Sequence, residues 1–128
     1  MIAIDTNVLV RLLVADDPAQ TRRARALAGS ERIHVSVTVL LETEWVLRAL
    51  YRIPAADIDT GFRTLVATAD VEDRGSVERA LDLAAQGLDF ADALHLCRAG
   101  HATSFATFDT KLAKRAKKLG VLPPVRQL

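Results

Sequence analysis

The chain carries two hydrophobic patterns: short apolar runs typical of buried strands, and apolar positions three or four apart typical of helices. The short runs predict strands at residues 2–4, 33–37, near 71 and 104–107, and a final extended edge at 121–125 that carries Pro123 and Pro124. The helical spacing predicts helices over residues 8–15, 18–28, 38–51, 57–67, 76–86, 89–99 and 110–119. We expect Gly29 to stop the second helix, and Gly87 and Gly100 to form left-handed caps.

Strands that alternate with helices indicate a parallel sheet, because each crossover returns the chain to the same edge. The pattern therefore predicts an α/β fold, a three-layer α/β/α sandwich with a short central parallel sheet, as one domain over residues 1–128. Ligands in such folds bind beyond the carboxyl ends of the strands. Residues that directly follow a strand are the first candidates for chemistry.

Composition supports this fold class and excludes others. Half of the 128 residues are hydrophobic but only 5% are aromatic, which indicates an aliphatic core and argues against an all-β fold. No uncharged apolar run reaches the roughly 18 residues of a membrane span. One cysteine cannot form an internal disulfide, and Met1 opens directly onto an apolar run, so we expect a cytoplasmic protein.

Acidic residues lie where this fold would place a ligand. Asp5 and Asp109 each follow a predicted strand and could meet if those strands are neighbours, although each is also well placed to cap a helix. Glu42 lies three and four residues from Val39 and Val46, so we expect its carboxylate on the stripe that faces the core. Glu44 is predicted to form a surface ion pair with Arg48, four residues on.

Asp89 and Asp92 are three residues apart at the start of a helix and share one face, with His95 one turn further along. Together with the other acids they would place four or five carboxylates at one end of the sheet. Their repulsion would raise the pKa values of these carboxyls unless a divalent cation neutralised them. Oxygen ligands without histidine or cysteine suit Mg²⁺ or Mn²⁺, so the pattern predicts a metal site.

Other chemistries fit the sequence less well. Cys97 lies on an apolar helix face without an activating neighbour, and the three histidines lack zinc-ligand spacing. The glycines lie at predicted helix ends and form no phosphate loop, and no nucleophile elbow surrounds Ser36 or Ser104.

Charge is unevenly distributed, although the net charge is only +1. Ten basic and fifteen acidic residues precede or include Asp92, whereas seven basic residues and one acid follow it. Five basic residues fall on the predicted helix 110–119, namely Lys111, Lys114, Arg115, Lys117 and Lys118. This helix is a candidate contact for phosphates, and a solvated face is an equally good interpretation.

Four segments in order resemble the PIN-domain ribonucleases, in particular the VapC-type toxins of toxin–antitoxin pairs. They are Asp5-Thr6-Asn7 after a strand, Ser36 to Glu42 on a helix, Asp89-Phe90-Ala91-Asp92-Ala93-Leu94-His95-Leu96, and Thr107-Phe108-Asp109. Each motif is weak alone, but the four together span almost the whole chain. The resemblance implies a catalytic quartet of Asp5, Glu42, Asp92 and Asp109, with Asp89 as a further acid and Thr6, Asn7 and Thr107 as polar residues that hold the carboxylates.

The family resemblance also implies an activity and its partners. It implies an endoribonuclease dependent on Mg²⁺ or Mn²⁺, with Asp5 and Asp92 as the most direct metal ligands, although spacing does not decide between Asp89 and Asp92. It implies a homodimer, inhibited by a VapB-like antitoxin whose C-terminal segment covers the site.

Two alternatives to the toxin role remain. One is a PIN nuclease of RNA maturation, and the other is a non-catalytic PIN-like or flavodoxin-like binding module whose acids only cap helices. A phosphotransfer receiver would want a second acid beside Asp5, and a haloacid-dehalogenase-type phosphatase an acid at the position of Asn7. Neither the receiver nor the phosphatase accounts for Glu42 in an apolar stripe.

Overall fold

Seven helices and five short strands form the protein, seen in a computed structural model of residues 1–128. In chain order they are β1 Ile2–Ala3, α1 Thr6–Leu13, α2 Pro18–Ser30, β2 Ile33–Val35, α3 Val37–Trp45 with a π-helical continuation Val46–Leu50, α4 Ala55–Thr68, β3 Asp70–Val71, α5 Arg74–Ala85, α6 Phe90–Arg98, β4 Phe105–Thr107, α7 Thr110–Leu119 and β5 Val125–Gln127. Residue contacts divide the chain into two units, Met1–Arg74 and Gly75–Leu128. No helix is both long and apolar enough to cross a membrane.

The first unit is built on a parallel sheet with the strand order β1-β2-β3. The strands are only two or three residues long, so most of the core comes from the helices. Leu9, Val35, Leu40 and Phe62 are completely shielded from solvent and represent α1, β2, α3 and α4. Burial of each such side chain contributes about 1.5–3 kcal/mol, which makes this apolar cluster the main source of stability.

Polar residues set the start of the first three helices in this unit. Asp5, Asp17 and Ser36 precede α1, α2 and α3, and each side chain accepts a hydrogen bond from the backbone amide three residues on. These caps satisfy amides that have no partner inside the helix, and each is worth about 1 kcal/mol. The cap at Ser36 starts α3 at Val37, which therefore ends β2 at Val35, two residues before the predicted end.

A histidine–aspartate pair joins two strands of this sheet. His34 of β2 lies opposite Asp70 of β3, and His34 Nδ1 is 2.6 Å from Asp70 Oδ2. Arg32 approaches the other oxygen of Asp70 at 3.7 Å. The hydrogen bond from His34 and the nearby positive charge hold the pKa of Asp70 below its ordinary value of 3.8.

This pair predicts a loss of stability in acid. Because folding lowers the Asp70 pKa, the carboxylate stabilises the fold above the unfolded-state pKa, and this contribution disappears as the pH falls through the lower folded-state value. We expect the Tm of the wild type to exceed that of Asp70→Asn at pH 6, and the two to converge between about pH 4 and pH 2. Thermal unfolding followed by circular dichroism at each pH measures both curves, and a constant difference across this range would contradict the assignment.

The second unit contains α5, α6 and α7 and a two-stranded parallel sheet of β4 and β5. Its core is formed by Val77 and Ala80 of α5, Leu94 of α6, and Ala116 of α7. Ser76 Oγ donates to the carbonyl oxygen of Cys97 and so ties α5 to α6. All strand pairs in the protein are parallel, so the predicted parallel α/β class is confirmed.

Several predicted boundaries are wrong for identifiable reasons. The final strand is residues 125–127 rather than 121–125, because prolines cannot donate to a ladder, and Pro124 instead accepts from the Phe105 amide before β5 begins. Helix α2 continues through Gly29 to Ser30 and ends where Glu31 becomes extended. Gly87 has the expected positive φ, but the second left-handed glycine is Gly120 after α7, not Gly100.

Candidate functional site

Asp5 lies at the carboxyl end of β1 and caps α1. Its Oδ1 accepts a hydrogen bond from the Val8 amide at 3.0 Å, and the side chain is exposed. Thr6 and Asn7 form the first turn of α1, Thr6 partly buried and Asn7 exposed. The cap occupies one carboxylate oxygen, which leaves the second oxygen for a ligand. Asp5 can therefore fulfil both interpretations made from the sequence, the cap and the ligand.

Glu42 is exposed on α3, so the expectation that it faces the core is wrong. The buried positions of this segment include Val37, Leu40, Glu44 and Leu47, a stripe of another phase. Apolar residues surround α3 on all sides, so their spacing alone could not fix the phase. An exposed Glu42 is accessible to a solvent-borne ligand without the cost of a buried unpaired charge.

Glu44 takes the buried place that the sequence assigned to Glu42. It is 8% exposed, and its Oε1 accepts from Arg48 Nε at 2.8 Å. The predicted ion pair between Glu44 and Arg48 is therefore confirmed. The Glu44 side chain is buried, however, and not at the surface as the sequence predicts. The pair supplies the charge compensation that a buried carboxylate needs.

In the second unit, Asp89 caps α6 and Asp109 caps α7. Asp89 Oδ2 accepts from the Asp92 amide at 3.1 Å at the start of α6, and Asp109 Oδ1 accepts from the Leu112 amide at 3.1 Å at the start of α7. Thr107 Oγ1 accepts from the Asp109 amide at 2.9 Å, so Thr107 orients the backbone that carries this acid. As at Asp5, each cap leaves one carboxylate oxygen for a ligand.

The surroundings of Asp92 raise the pKa of its carboxyl. Partial burial raises its pKa, and the negative charges of Asp89 and Asp109 raise it further, while nearby His95 acts in the opposite direction. The three acids are thus close enough to repel one another, as expected when carboxylates share a site without a cation. Among the predicted site acids, this repulsion is seen between Asp92 and its neighbours Asp89 and Asp109, all in the second unit.

The residues fit a divalent cation by their chemistry. The donors are carboxylate oxygens, which Mg²⁺ and Mn²⁺ prefer, and the crowding at Asp92 is relieved by positive charge. No group of three or more histidine, cysteine or acidic side chains in the structure is placed to hold a metal ion.

The basic helix α7 is present with the predicted boundaries, and Lys111, Lys114 and Lys118 are exposed. Arg115 differs from them, because its Nη1 donates to the carbonyl oxygen of Gly87 and joins α7 to the turn before α6. The lysines are available to a polyanion, whereas Arg115 also has a structural role.

Phe108 was missed by the sequence reasoning. It lies between Thr107 and Asp109 and is 82% exposed, the largest exposed fraction among the large apolar side chains of the protein. The available signal was an aromatic residue among polar neighbours directly after a strand. An exposed ring beside carboxylates offers a surface on which a base can stack.

The sequence was compared with known proteins. The sequence model of the PIN domain matches residues 2–118, nearly the whole chain and both units. The chain therefore belongs to the PIN domain family, and the predicted α/β/α fold class is confirmed. PIN domains are in general nucleases that use divalent metal ions, so the family indicates a hydrolase acting on nucleic acid. No curated protein matches the chain.

Proposed function

We propose that this protein is an endoribonuclease dependent on Mg²⁺ or Mn²⁺. The observation that carries the proposal is the crowding of Asp92 by Asp89 and Asp109 within a chain of the PIN family. The caps account for the positions of Asp89 and Asp109, but the repulsion that they exert on Asp92 opposes folding, and a bound cation would offset it.

We assign the reaction to the carboxylates of Asp5, Glu42, Asp92 and Asp109, with Asp5 and Asp92 as the most direct ligands and Asp89 as a further acid. When bound, a divalent ion activates water for attack on phosphorus and offsets charge on the leaving oxygen. Thr107 holds the Asp109 backbone, and Thr6 and Asn7 belong to the helix turn that Asp5 caps. Lys111, Lys114 and Lys118 attract the phosphate backbone toward a site that is itself anionic.

The direct test is incubation of the purified protein with a mixed pool of single-stranded RNA in Mg²⁺, Mn²⁺ or EDTA, followed by mapping of the ends. We expect internal cleavage of RNA with either metal and none in EDTA. A matched DNA pool separates a ribonuclease from a general nuclease. Uncut RNA with both metals would overturn the proposal and favour the non-catalytic binding module.

We further propose that the protein acts in the cytoplasm as a VapC-type toxin, as a homodimer inhibited by a VapB-like antitoxin. Trp45 and Leu50 are 51% and 64% exposed, and such apolar surface supports contact with a second copy or a partner. Growth arrest on expression, relieved by coexpression of a small protein encoded directly upstream, would support the toxin. Active enzyme without growth arrest would favour a PIN nuclease of RNA maturation, and light scattering measures the dimer.

Glu42 and Glu44 form a matched pair on α3, and we expect opposite effects from their substitution. Glu42→Gln should slow RNA cleavage by roughly 100-fold, because it removes a charge assigned to the reaction, and leave the Tm unchanged. Glu44→Gln should lower the free energy of unfolding by about 1–3 kcal/mol, because it weakens the bond to Arg48, and leave kcat unchanged. Cleavage assays and urea unfolding of both variants decide this, and the reverse pattern would mean that Glu44 is the functional acid.

Phe108→Ala should raise the KM for RNA by about tenfold, because a base stacked on an aromatic side chain contributes roughly 1–3 kcal/mol. Phe108 is almost fully exposed, so the Tm should not fall. Leu122→Ala, at a side chain that is 74% exposed, controls for the loss of exposed apolar surface. Equal KM values for Phe108→Ala and the wild type would exclude stacking.

A further inference from the structure

A groove of about 380 Å³ lies between α1 and α2 of the first unit, next to Asp5. Its floor is apolar and its rim polar; besides Asp5 and Arg11 it is lined by Asn7, Val8, Gln20, Arg23, Ala24 and Leu27. The volume is within the range of small-molecule sites, which combine apolar walls with a few polar groups. Asp5 and Asn7 also belong to the proposed catalytic site, whereas the other lining residues have no role assigned above.

The polar rim contains one amide whose orientation is fixed. Arg11 Nε donates to Gln20 Oε1 at 2.7 Å, while Arg11 Nη1 donates to Asp16 and to Tyr51. Because a guanidinium can only donate, the oxygen of Gln20 must face Arg11, and the NH₂ group of Gln20 remains available as a donor. A ligand with an acceptor at its edge satisfies that group.

Arg23 of α2 is the one cation of the groove that is outside a salt bridge; the lining also contains the carboxylate of Asp5 and Arg11, which is paired with Asp16. This helix contains Arg22, Arg23 and Arg25 and no acidic residue. All three arginines are exposed and none is in a salt bridge, in contrast to Arg11, which pairs with Asp16 at 3.0 Å. Only Arg23 of the three lines the groove. A free guanidinium beside an apolar wall favours a ligand that is anionic and has a flat apolar part.

We propose that the α1–α2 groove binds one nucleotide of the RNA substrate, next to the bond cut near Asp5. The base lies against Val8 and Leu27, with an edge acceptor toward the Gln20 amide, and a phosphate pairs with Arg23. The inference rests on the proposed ribonuclease function and extends it to a subsite in the first unit. Arg23 lies in the groove and Arg22 and Arg25 lie on the same helix outside it, so the surroundings of the groove on α2 are cationic and favour RNA over a peptide segment as the occupant.

The test compares Arg23→Gln with Arg22→Gln, which removes the same charge from the same helix outside the groove. The four nucleoside 5′-monophosphates are titrated into ¹⁵N-labelled full-length protein without divalent metal, and backbone amide shifts are followed. We expect at least one nucleotide to shift the amides of Asn7, Val8, Ala24 and Leu27. Arg23→Gln should weaken this binding by about tenfold, and Arg22→Gln by less than about twofold.

The binding measurement needs no catalysis, so the two proposals fail separately. Shifts confined to α7, or equal weakening by both substitutions, would overturn the groove subsite. No response to any nucleotide would also overturn it and leave a peptide segment as the alternative occupant. Wild-type protein that cuts no RNA but shows the groove shifts would overturn the ribonuclease proposal and keep the nucleotide site. With an active enzyme, Arg23→Gln should raise KM several-fold with little change in kcat.

Discussion

Asp5→Asn is expected to slow RNA cleavage by roughly 1,000-fold, the effect of losing about 4 kcal/mol of transition-state stabilisation. The physical reason is the loss of a negative charge that binds the metal. Asparagine caps helices about as well as aspartate, so the bond from the Val8 amide is retained and α1 should still form. Kinetics on a defined RNA and a thermal unfolding curve measure the two effects, and growth arrest should disappear with the activity.

The chain contains a close control for this substitution. Asp17 caps α2 and accepts from the Gln20 amide at 3.0 Å, the same distance as in the cap of α1, but has no assigned part in the reaction. Asp17→Asn should therefore leave both cleavage and Tm unchanged. If Asp5→Asn cuts RNA at the wild-type rate, Asp5 is only a cap. A large loss of Tm in this variant would likewise show that the carboxylate is structural.

Asp92→Asn is expected to abolish cleavage to a similar extent and, in the absence of metal, to raise the Tm at neutral pH. Folding raises the pKa of Asp92, so the charged carboxylate destabilises the folded state above that pKa, and the penalty is relieved as the pH falls through it. Asparagine removes the charge and its repulsion with Asp89 and Asp109 at any pH. The Tm of Asp92→Asn should therefore exceed that of the wild type by the largest margin near pH 7 and by the smallest in acid.

A divalent metal ion should reverse the order of the two Tm values, so that the wild type melts above Asp92→Asn. A ligand at ten times its Kd stabilises the folded state by about 1.4 kcal/mol, so Mg²⁺ or Mn²⁺ should raise the Tm of the wild type and much less that of Asp92→Asn. Scanning calorimetry with and without each metal measures both shifts, with Ca²⁺ as a further comparison. Equal metal-induced shifts in the two proteins would show that Asp92 binds no metal, even if it is needed for cleavage.

Local chemistry explains why much of the fold was predictable. The boundaries of α7 were predicted exactly as residues 110–119, because Asp109 caps its start and Gly120 follows its end. The caps at Asp5 and Asp89 were likewise among the interpretations that the sequence allowed, since short acidic side chains before a helix bind its free amides. Parallel pairing followed from the alternation of strands and helices.

Long-range packing explains the errors. The sequence placed Glu42 inside and Glu44 outside, and the structure does the reverse, because the phase of a helix with apolar residues all around is set by what packs on it. The last strand was misplaced because Pro123 and Pro124 cannot donate to a ladder, so the pairing with β4 begins only at Val125. The meeting of Asp5 with Asp109 was predicted on the condition that their strands are neighbours. In the sheets β1 pairs with β2, and β4 with β5, so strand pairing does not meet this condition, and a shared site of Asp5 and Asp109 stays a prediction that the family resemblance alone implies.

The sequence by itself determined the elements and the residue types of the candidate site, because caps, turn residues and hydrophobic spacing act within a few positions of one another. Only the tertiary structure decided which carboxylates repel one another and which side chains are buried. Repulsion at Asp92, the exposure of Glu42 and Phe108, and the groove beside Asp5 all depend on atoms brought together from separate segments. Electrostatic and packing energies depend on distance in space, which spacing along a chain does not specify.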